Sequence, residues 1–108
     1  MQLHEIRVRL RFMSADGLLT YYFVALLCSG ETWRVDSRYQ IDDGDLDLER
    51  DFDETTYATA VRQFRYEVQR ITDRGFVEEH RAMTPIGDTP PPPFIPITAF
   101  GKGSALVL

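Results

Sequence analysis

The chain has 108 residues, of which 44% are hydrophobic and 12% aromatic, and it carries a formal net charge of −5 at pH 7. This length is typical of a single domain, and the hydrophobic fraction excludes an intrinsically disordered chain. The net negative charge disfavours non-specific binding to nucleic acid or to an anionic membrane surface.

Three features of the sequence predict a cytoplasmic protein that makes no membrane contact. The only cysteine, Cys28, cannot form an internal disulfide, and its apolar neighbours predict a buried, structural side chain. The longest apolar run, residues 21–28, is far too short to span a bilayer. No signal peptide is expected, because Arg7, Arg9 and Arg11 interrupt the apolar residues near the N-terminus.

The first half of the chain shows the alternation of apolar and polar residues that is typical of β-strands. Three glycine-containing turns divide it into four predicted strands, which cover residues 3–12, 18–28, 32–41 and 45–52. The first strand should have one apolar face and one cationic face. The second strand is apolar almost throughout, so we expect it to be central in the sheet and covered on both faces or nearly so.

A long amphipathic helix is predicted after the fourth strand. Five apolar residues recur at spacings of three and four, which places them on one face: Tyr57, Val61, Phe64, Val68 and Ile71. Asp53 is the expected N-cap, and Gly75 is expected to end the helix in a left-handed conformation. The predicted fold is therefore α+β: an antiparallel meander of four or five strands with one long helix packed across one face.

Residues 1–83 are predicted to form this sheet-and-helix domain, and residues 84–108 a proline-rich C-terminal arm. All six prolines lie between residues 85 and 96, and residues 90–93 predict an extended polyproline II spacer. The apolar sequence that follows contains Phe94 and Phe100, two candidate anchors for a partner. We expect the arm to pack either on its own sheet or on a neighbouring chain, which would make the protein a structural assembly subunit.

The sequence contains no recognisable arrangement of catalytic residues. The two histidines, His4 and His80, are not placed with Cys28 or with a serine at a spacing typical of a nucleophile and its base. A glycine-rich phosphate loop and a paired cluster of metal ligands are also missing from the sequence. We therefore predict a non-enzymatic protein without a cofactor or a metal ion.

An acidic stretch is the most unusual part of the sequence. Eight of the thirteen residues from position 42 to position 54 are acidic. Five of them share one parity and would project from one face of a strand: Asp45, Asp47, Glu49, Asp51 and Asp53. Their spacing of about 6.6–6.8 Å on a strand is close to the separation of phosphates along nucleic acid. This pattern predicts a surface for a basic protein partner, such as an inhibitor or immunity-type protein would present to a nucleic-acid-binding protein. The alternative is a solvated outer face.

A second candidate surface lies on the predicted helix. Arg62, Tyr66 and Arg70 are four residues apart and should follow one another along the solvent side. A tyrosine between two guanidinium groups can stack on bases or anchor a protein interface. The alternative is an ordinary exposed ring covered by arginine side chains.

Residues 20–27 form an aromatic-led predicted strand, residues 32–38 form the next strand, and the predicted helix closes at Gly75. In these elements residues 19–77 resemble the WGR domain, a small sheet-and-helix module found in poly(ADP-ribose) polymerases and in short bacterial proteins. The Trp-Gly-Arg signature is absent, and in the corresponding residues 38–42 only Ile41 matches. The resemblance implies a nucleic-acid-binding module as the alternative to a protein-binding one, and it assigns no binding residue.

Overall fold

The computed structural model describes residues 3–86. Their elements in chain order are β1 (His4–Met13), β2 (Leu19–Ser29), β3 (Thr32–Ile41), β4 (Asp47–Glu54), α1 (Tyr57–Thr72) and β5 (Val77–Pro85). The strands form one antiparallel sheet in the order β4-β3-β2-β1-β5, and α1 packs across one face. The predicted α+β fold is confirmed. The candidate anchors Phe94 and Phe100 lie outside the described residues.

The hydrophobic core lies between α1 and the sheet face beneath it. The alternation on β1 is confirmed, because every second residue from Ile6 to Leu10 is buried while Arg7 and Arg9 are exposed. The stripe on α1 is also confirmed. Phe64 and Ile71 are almost completely buried, and the other three stripe residues are partly buried against the same core: Tyr57, Val61 and Val68.

The ends of α1 differ from each other in how well the sequence predicted them. Asp53 is not the N-cap, because β4 runs on to Glu54 and pairs Asp53 with Arg34 of β3. Thr56 takes the cap position instead, and its hydroxyl accepts a hydrogen bond from the backbone N–H of Thr59 at 3.2 Å. At the other end Gly75 has φ +99°, a left-handed conformation, as predicted.

The fifth strand covers residues for which the sequence pattern predicted no structure. β5 carries mostly exposed residues and has no apolar alternation, yet it pairs with β1 along its length. It extends to Pro85, beyond the predicted boundary at residue 83. The backbone N–H of Ile86 then donates to the carbonyl of Leu3 at 2.9 Å. In the strand order of the sheet, β4 and β5 are the two edge strands.

Only one face of the sheet is covered by a helix within residues 3–86. The central position expected for β2 is confirmed, and in this part of the chain its second row of side chains is half-buried rather than fully covered. We call the sheet face under α1 the helix side and the opposite one the open face. In this part of the chain no helix combines the length and the apolar character needed to cross a membrane.

Candidate functional site

The open face carries a strip of half-buried apolar side chains along β2. Tyr21, Phe23, Ala25 and Leu27 form this strip, because they alternate with the core residues of the same strand. The rings of Tyr21 and Phe23 lie side by side, with their centroids 6.2 Å apart. The strip is therefore continuous along the strand and lies in the middle of the sheet.

Arginines from the two neighbouring strands border this strip on both sides. They are contributed by β1 and β3: Arg7, Arg9, Arg11, Arg34 and Arg38. In the register of the sheet, Phe23 lies between Arg9 and Arg38. The cationic face predicted for the first strand is therefore part of a larger surface that spans three strands.

Each of these arginines forms an ion pair, with a carboxylate oxygen within 4 Å of a guanidinium nitrogen. The closest pair joins Arg9 Nε to Glu79 at 2.6 Å, and Arg34 Nη2 lies 3.0 Å from Asp51. Asp36 is only 4% exposed, and its Oδ2 lies 3.5 Å from Arg38 Nη2. The remaining pairs are Arg7–Glu5, Arg11–Glu79 and Arg34–Asp36. The border of the strip is thus close to electrically neutral.

A shallow cavity of about 360 Å³ opens over this strip. Its apolar lining comes from Phe23, Ala25, Leu27 and the exposed Leu46, which precedes β4. We call this cavity the open-face groove. Its position over half-buried apolar atoms makes it suited to an apolar side chain of a partner.

The predicted row of five acidic residues does not lie on one face. A register shift between Ser37 and Arg38 of β3 places a bulge in β4 at Glu49. Because a shift by one residue reverses the face of every later side chain, Asp51 and Asp53 lie on the open face while Asp47 is opposite Tyr39 on the helix side. Asp45 lies in the loop before β4. The prediction of a single acidic face is therefore wrong.

Glu49 points to the helix side, where it holds two hydrogen bonds. The hydroxyl of Tyr22 donates to its Oε2 at 2.8 Å, and Arg70 Nη2 donates to its Oε1 at 2.8 Å. Burial alone would raise the pKa of Glu49, but these hydrogen bonds and the charges of Arg70 and Arg74 outweigh it, so the pKa lies below its usual value. Burial also raises the pKa of Tyr22, which keeps its hydroxyl protonated as the donor.

The predicted row on the helix is interrupted in the same region. Arg62 and Tyr66 are exposed, with Tyr66 at 56%. Arg70 instead turns toward the sheet and is bound by Glu49 and Glu67. The reason is geometric, since a spacing of four residues advances 40° beyond a full turn, and two such steps bring Arg70 toward the buried side. The row therefore contains two residues rather than three.

A buried carboxylate, Glu67, completes this cluster and was not predicted from the sequence. Glu67 is 0% exposed, and it accepts hydrogen bonds from Arg70 Nη2 at 2.9 Å and from Gln63 Nε2 at 3.2 Å. Arg50 Nη2 lies 3.5 Å from the same side chain. The available signal was its position, three residues after Phe64, which falls on the apolar stripe of α1. A charged residue on such a stripe indicates a buried pair.

The side chains considered for catalysis or metal binding do not come together. Cys28 is exposed rather than buried, because it lies near the end of β2, and its Sγ contacts the carbonyl oxygen of Gly30 at 3.7 Å. His80 borders the open-face groove. Across the described residues, no three side chains of His, Cys, Asp or Glu are grouped so that they could hold a metal ion.

A second cavity, of about 600 Å³, lies on the helix side beyond the C-terminal end of α1. Its lining combines aromatic rings with the carboxylate of Glu49 and the guanidinium of Arg74. Neither cavity was predicted from the sequence. Comparisons of this chain with family models, with curated proteins and with solved structures found no match.

Proposed function

We propose that the chain is a non-enzymatic protein-interaction module whose partner binds over the open face of the sheet. The observation that carries this proposal is the apolar strip of β2, which has no covering element within residues 3–86. Interfaces typically have such an apolar centre with a polar rim. Burial of the strip by a partner would contribute about 25 cal/mol for each Å² of apolar surface removed from water.

The charges around the strip support a protein ligand rather than a phosphate backbone. To bind nucleic acid, arginines must be free to contact the phosphates and release the counterions bound to them. The arginines of the open face are instead already paired with carboxylates. A protein partner needs no net charge at this rim. Paired rim charges give specificity by disfavouring partners that cannot replace or accommodate them.

The edge strand β4 gives the proposal its more specific form. Asp53 lies on the open face at this edge, next to the ion-paired Asp51. A basic partner would meet these carboxylates as it crosses the groove, which suits an inhibitor or immunity-type protein directed against a basic nucleic-acid-binding protein. We also propose a cytoplasmic location, because a single cysteine without an internal disulfide is typical of a reducing compartment.

The experiment that tests the proposal compares substitutions on the two sides of the molecule. Phe23→Asp puts a charge in the open-face groove, and Tyr66→Asp puts the same charge on the exposed side of α1. Proteins recovered by the immobilised wild type from a lysate of its own cells are identified, purified and titrated by calorimetry. We expect a partner whose affinity falls at least about tenfold with Phe23→Asp and stays unchanged with Tyr66→Asp.

Two outcomes of this experiment would contradict the proposal. One is a partner that binds the wild type and Phe23→Asp equally well. The other is a partner that both variants lose equally while both remain folded by circular dichroism. A further variant, Asp53→Arg, tests the basic character of the partner, because reversal of this charge should slow association with a basic protein.

Nucleic-acid binding is the second candidate function, in line with the resemblance to the WGR domain. The observation that favours it is the exposure of Arg62 and Tyr66 on the outer side of α1. Labelled single-stranded and duplex DNA should then bind with an affinity that falls steeply as salt rises, and Arg62→Glu should weaken it. Salt-dependent DNA binding of this kind, together with no protein partner at the open face, would replace the first proposal by the second. Assembly through residues 84–108 is the third candidate.

A further inference from the structure

The cavity at the end of α1 exists because the strands are longer than the helix that covers them. Beyond Thr72 the helix side of the sheet continues without cover from α1, and Phe12 and Ile41 are 37% and 48% exposed there. Large apolar side chains that line a concave surface together are typical of a ligand site. The volume of about 600 Å³ is also within the range of small-molecule cavities.

The walls of the cavity are held in place by contacts among aromatic rings. The rings of Tyr22 and Phe76 meet edge to face with their centroids 5.0 Å apart, and Phe12 lies 5.3 Å from Phe76. Tyr39 continues this row at 5.9 Å from Tyr22. Tyr22 and Phe76 belong to the buried core, so the fold itself fixes this part of the cavity wall.

The guanidinium group of Arg74 lies at this cavity and is oriented by its contacts with Tyr22 and Phe76. Arg74 Nη1 donates a hydrogen bond to the hydroxyl of Tyr22 at 2.9 Å. Its guanidinium carbon lies 5.3 Å from the centroid of the Tyr22 ring and 5.8 Å from that of Phe76, which are distances typical of cation–π contact. Among residues 3–86, no hydrogen bond involves the other nitrogens of Arg74, whose side chain is 49% exposed.

Arg74 is the least closely paired cation of the charged cluster beside the cavity. The cluster contains two carboxylates, Glu49 and Glu67, and three guanidinium groups, Arg50, Arg70 and Arg74. Arg70 contacts both carboxylates and Arg50 contacts Glu67, whereas Arg74 is 4.0 Å from Glu49. Arg74 therefore has the longest carboxylate contact of the three guanidinium groups, and it is the one that lines the cavity.

We infer that this cavity binds a small apolar carboxylate. Its apolar body would lie against Phe12, Tyr39 and Ile41, and its carboxylate would accept hydrogen bonds from Arg74. The planar fork of a guanidinium matches a carboxylate in a two-point contact. A single negative charge fits better than a phosphate dianion, because Arg74 is the one guanidinium that lines the cavity and the carboxylate of Glu49 lies close by. This site is on the helix side of the sheet and is independent of the partner surface on the open face.

The test uses 2-naphthoate and its neutral analogue 2-naphthamide with the wild-type chain. Each is titrated into isotopically labelled protein at neutral pH, and the backbone amide signals are followed by NMR. We expect naphthoate to shift the signals of Ile41, Arg74 and Phe76, and to bind at least about tenfold more tightly than naphthamide. Shifts spread over other parts of the chain, equal affinity for the two compounds, or no shift at millimolar naphthoate would each overturn the inference.

Variants separate the role of Arg74 from a general effect of charge. Arg74→Gln should lower the affinity for naphthoate about tenfold and leave that for naphthamide unchanged, while Arg74→Lys should have an intermediate effect because it keeps the charge without the planar fork. The matched control is Arg62→Gln, which removes an exposed arginine from the outer side of α1, away from the cavity. If Arg62→Gln weakens naphthoate as much as Arg74→Gln does, the inference is wrong. If Arg74→Gln does not fold, the inference is tested by the affinities of the wild type for naphthoate and naphthamide.

Discussion

The carboxylate of Glu67 accepts two hydrogen bonds from the guanidinium group of Arg70, at 2.9 and 3.3 Å, inside a helix–sheet interface where Glu67 is 0% exposed. The two residues are three apart on α1 and therefore lie on adjacent turns. Arg70 reaches on to Glu49 of β4, so the pair connects the helix to an edge strand.

Removal of this buried carboxylate should be costly. Glu67→Ala leaves Arg50 and Arg70 with fewer partners in a desolvated position, so we expect a loss of about 3 kcal/mol in the free energy of unfolding, measured by urea titration. Arg62→Ala, on the exposed side of the same helix, should change it by about 0.5 kcal/mol or less. Similar losses for the two variants would show that Glu67 is not a buried partner in solution.

A different substitution tests the apolar half of the same interface. Phe64 is 2% exposed at the centre of the core, so Phe64→Ala should cost about 3–5 kcal/mol through lost burial and the cavity that remains. The measurement is again a urea titration. Such a loss can equal most of the free energy of unfolding of a domain of this size. The variant would then be unfolded even without denaturant. A change below about 1 kcal/mol would contradict the assigned core.

The depressed pKa of Glu49 predicts how stability depends on pH. A carboxylate whose pKa is lower in the folded state than in the unfolded state stabilises the fold above its unfolded-state pKa, and this contribution is lost as the pH falls through the folded-state pKa. The free energy of unfolding of the wild type should therefore fall more steeply below about pH 4.5, the usual value, than that of Glu49→Gln. Unfolding curves at a series of pH values compare the two. Parallel pH dependence would show that Glu49 is not stabilised as an anion.

Residue patterns were sufficient to predict the elements whose side chains follow one period. Ile6, Val8 and Leu10 alternate strictly on β1, and the stripe through Phe64 keeps its helical spacing, so both core faces were correctly predicted. These patterns depend only on which side of an element faces the core. No knowledge of the neighbouring element is needed to recognise them.

The parts that were mispredicted depend on how two elements pair. The bulge at Glu49 follows from the register of β4 against β3, and nothing in the local sequence reveals it. The burial of Glu67 depends on Arg50, which comes from another strand. β5 lacks an apolar period because it is an edge strand with many exposed side chains, so its pairing with β1 could not be derived from alternation.

The C-terminal arm can be tested by truncation after Thr89, which removes Phe94 and Phe100. Residues 90–93 would span about 12 Å as polyproline II and could carry the following apolar residues past the edge of the domain. We expect the truncated chain to keep its melting temperature and to have a smaller mass by light scattering, since the core of residues 3–86 is already covered by α1. A less stable monomer would show instead that the arm packs on its own domain. A truncated chain unchanged in both measurements would exclude both roles.

The last prediction concerns the hydroxyl of Ser37, which is 0% exposed beneath α1 and has no hydrogen-bond partner among residues 3–86. Ser37 lies opposite Val24 on β2 and Arg50 on β4, on the helix side of the sheet. A buried hydroxyl without a partner has lost its hydrogen bonds to water, so Ser37→Ala should leave the free energy of unfolding unchanged or raise it by about 1 kcal/mol.

The matched control for Ser37→Ala is a substitution two residues earlier on the same strand. Val35 is also 0% exposed, but its side chain is apolar, so Val35→Ala should lower the free energy of unfolding by about 2 kcal/mol. Both values come from urea titration under the same conditions. A loss of more than about 1 kcal/mol for Ser37→Ala would mean that the hydroxyl does find a partner in the folded protein.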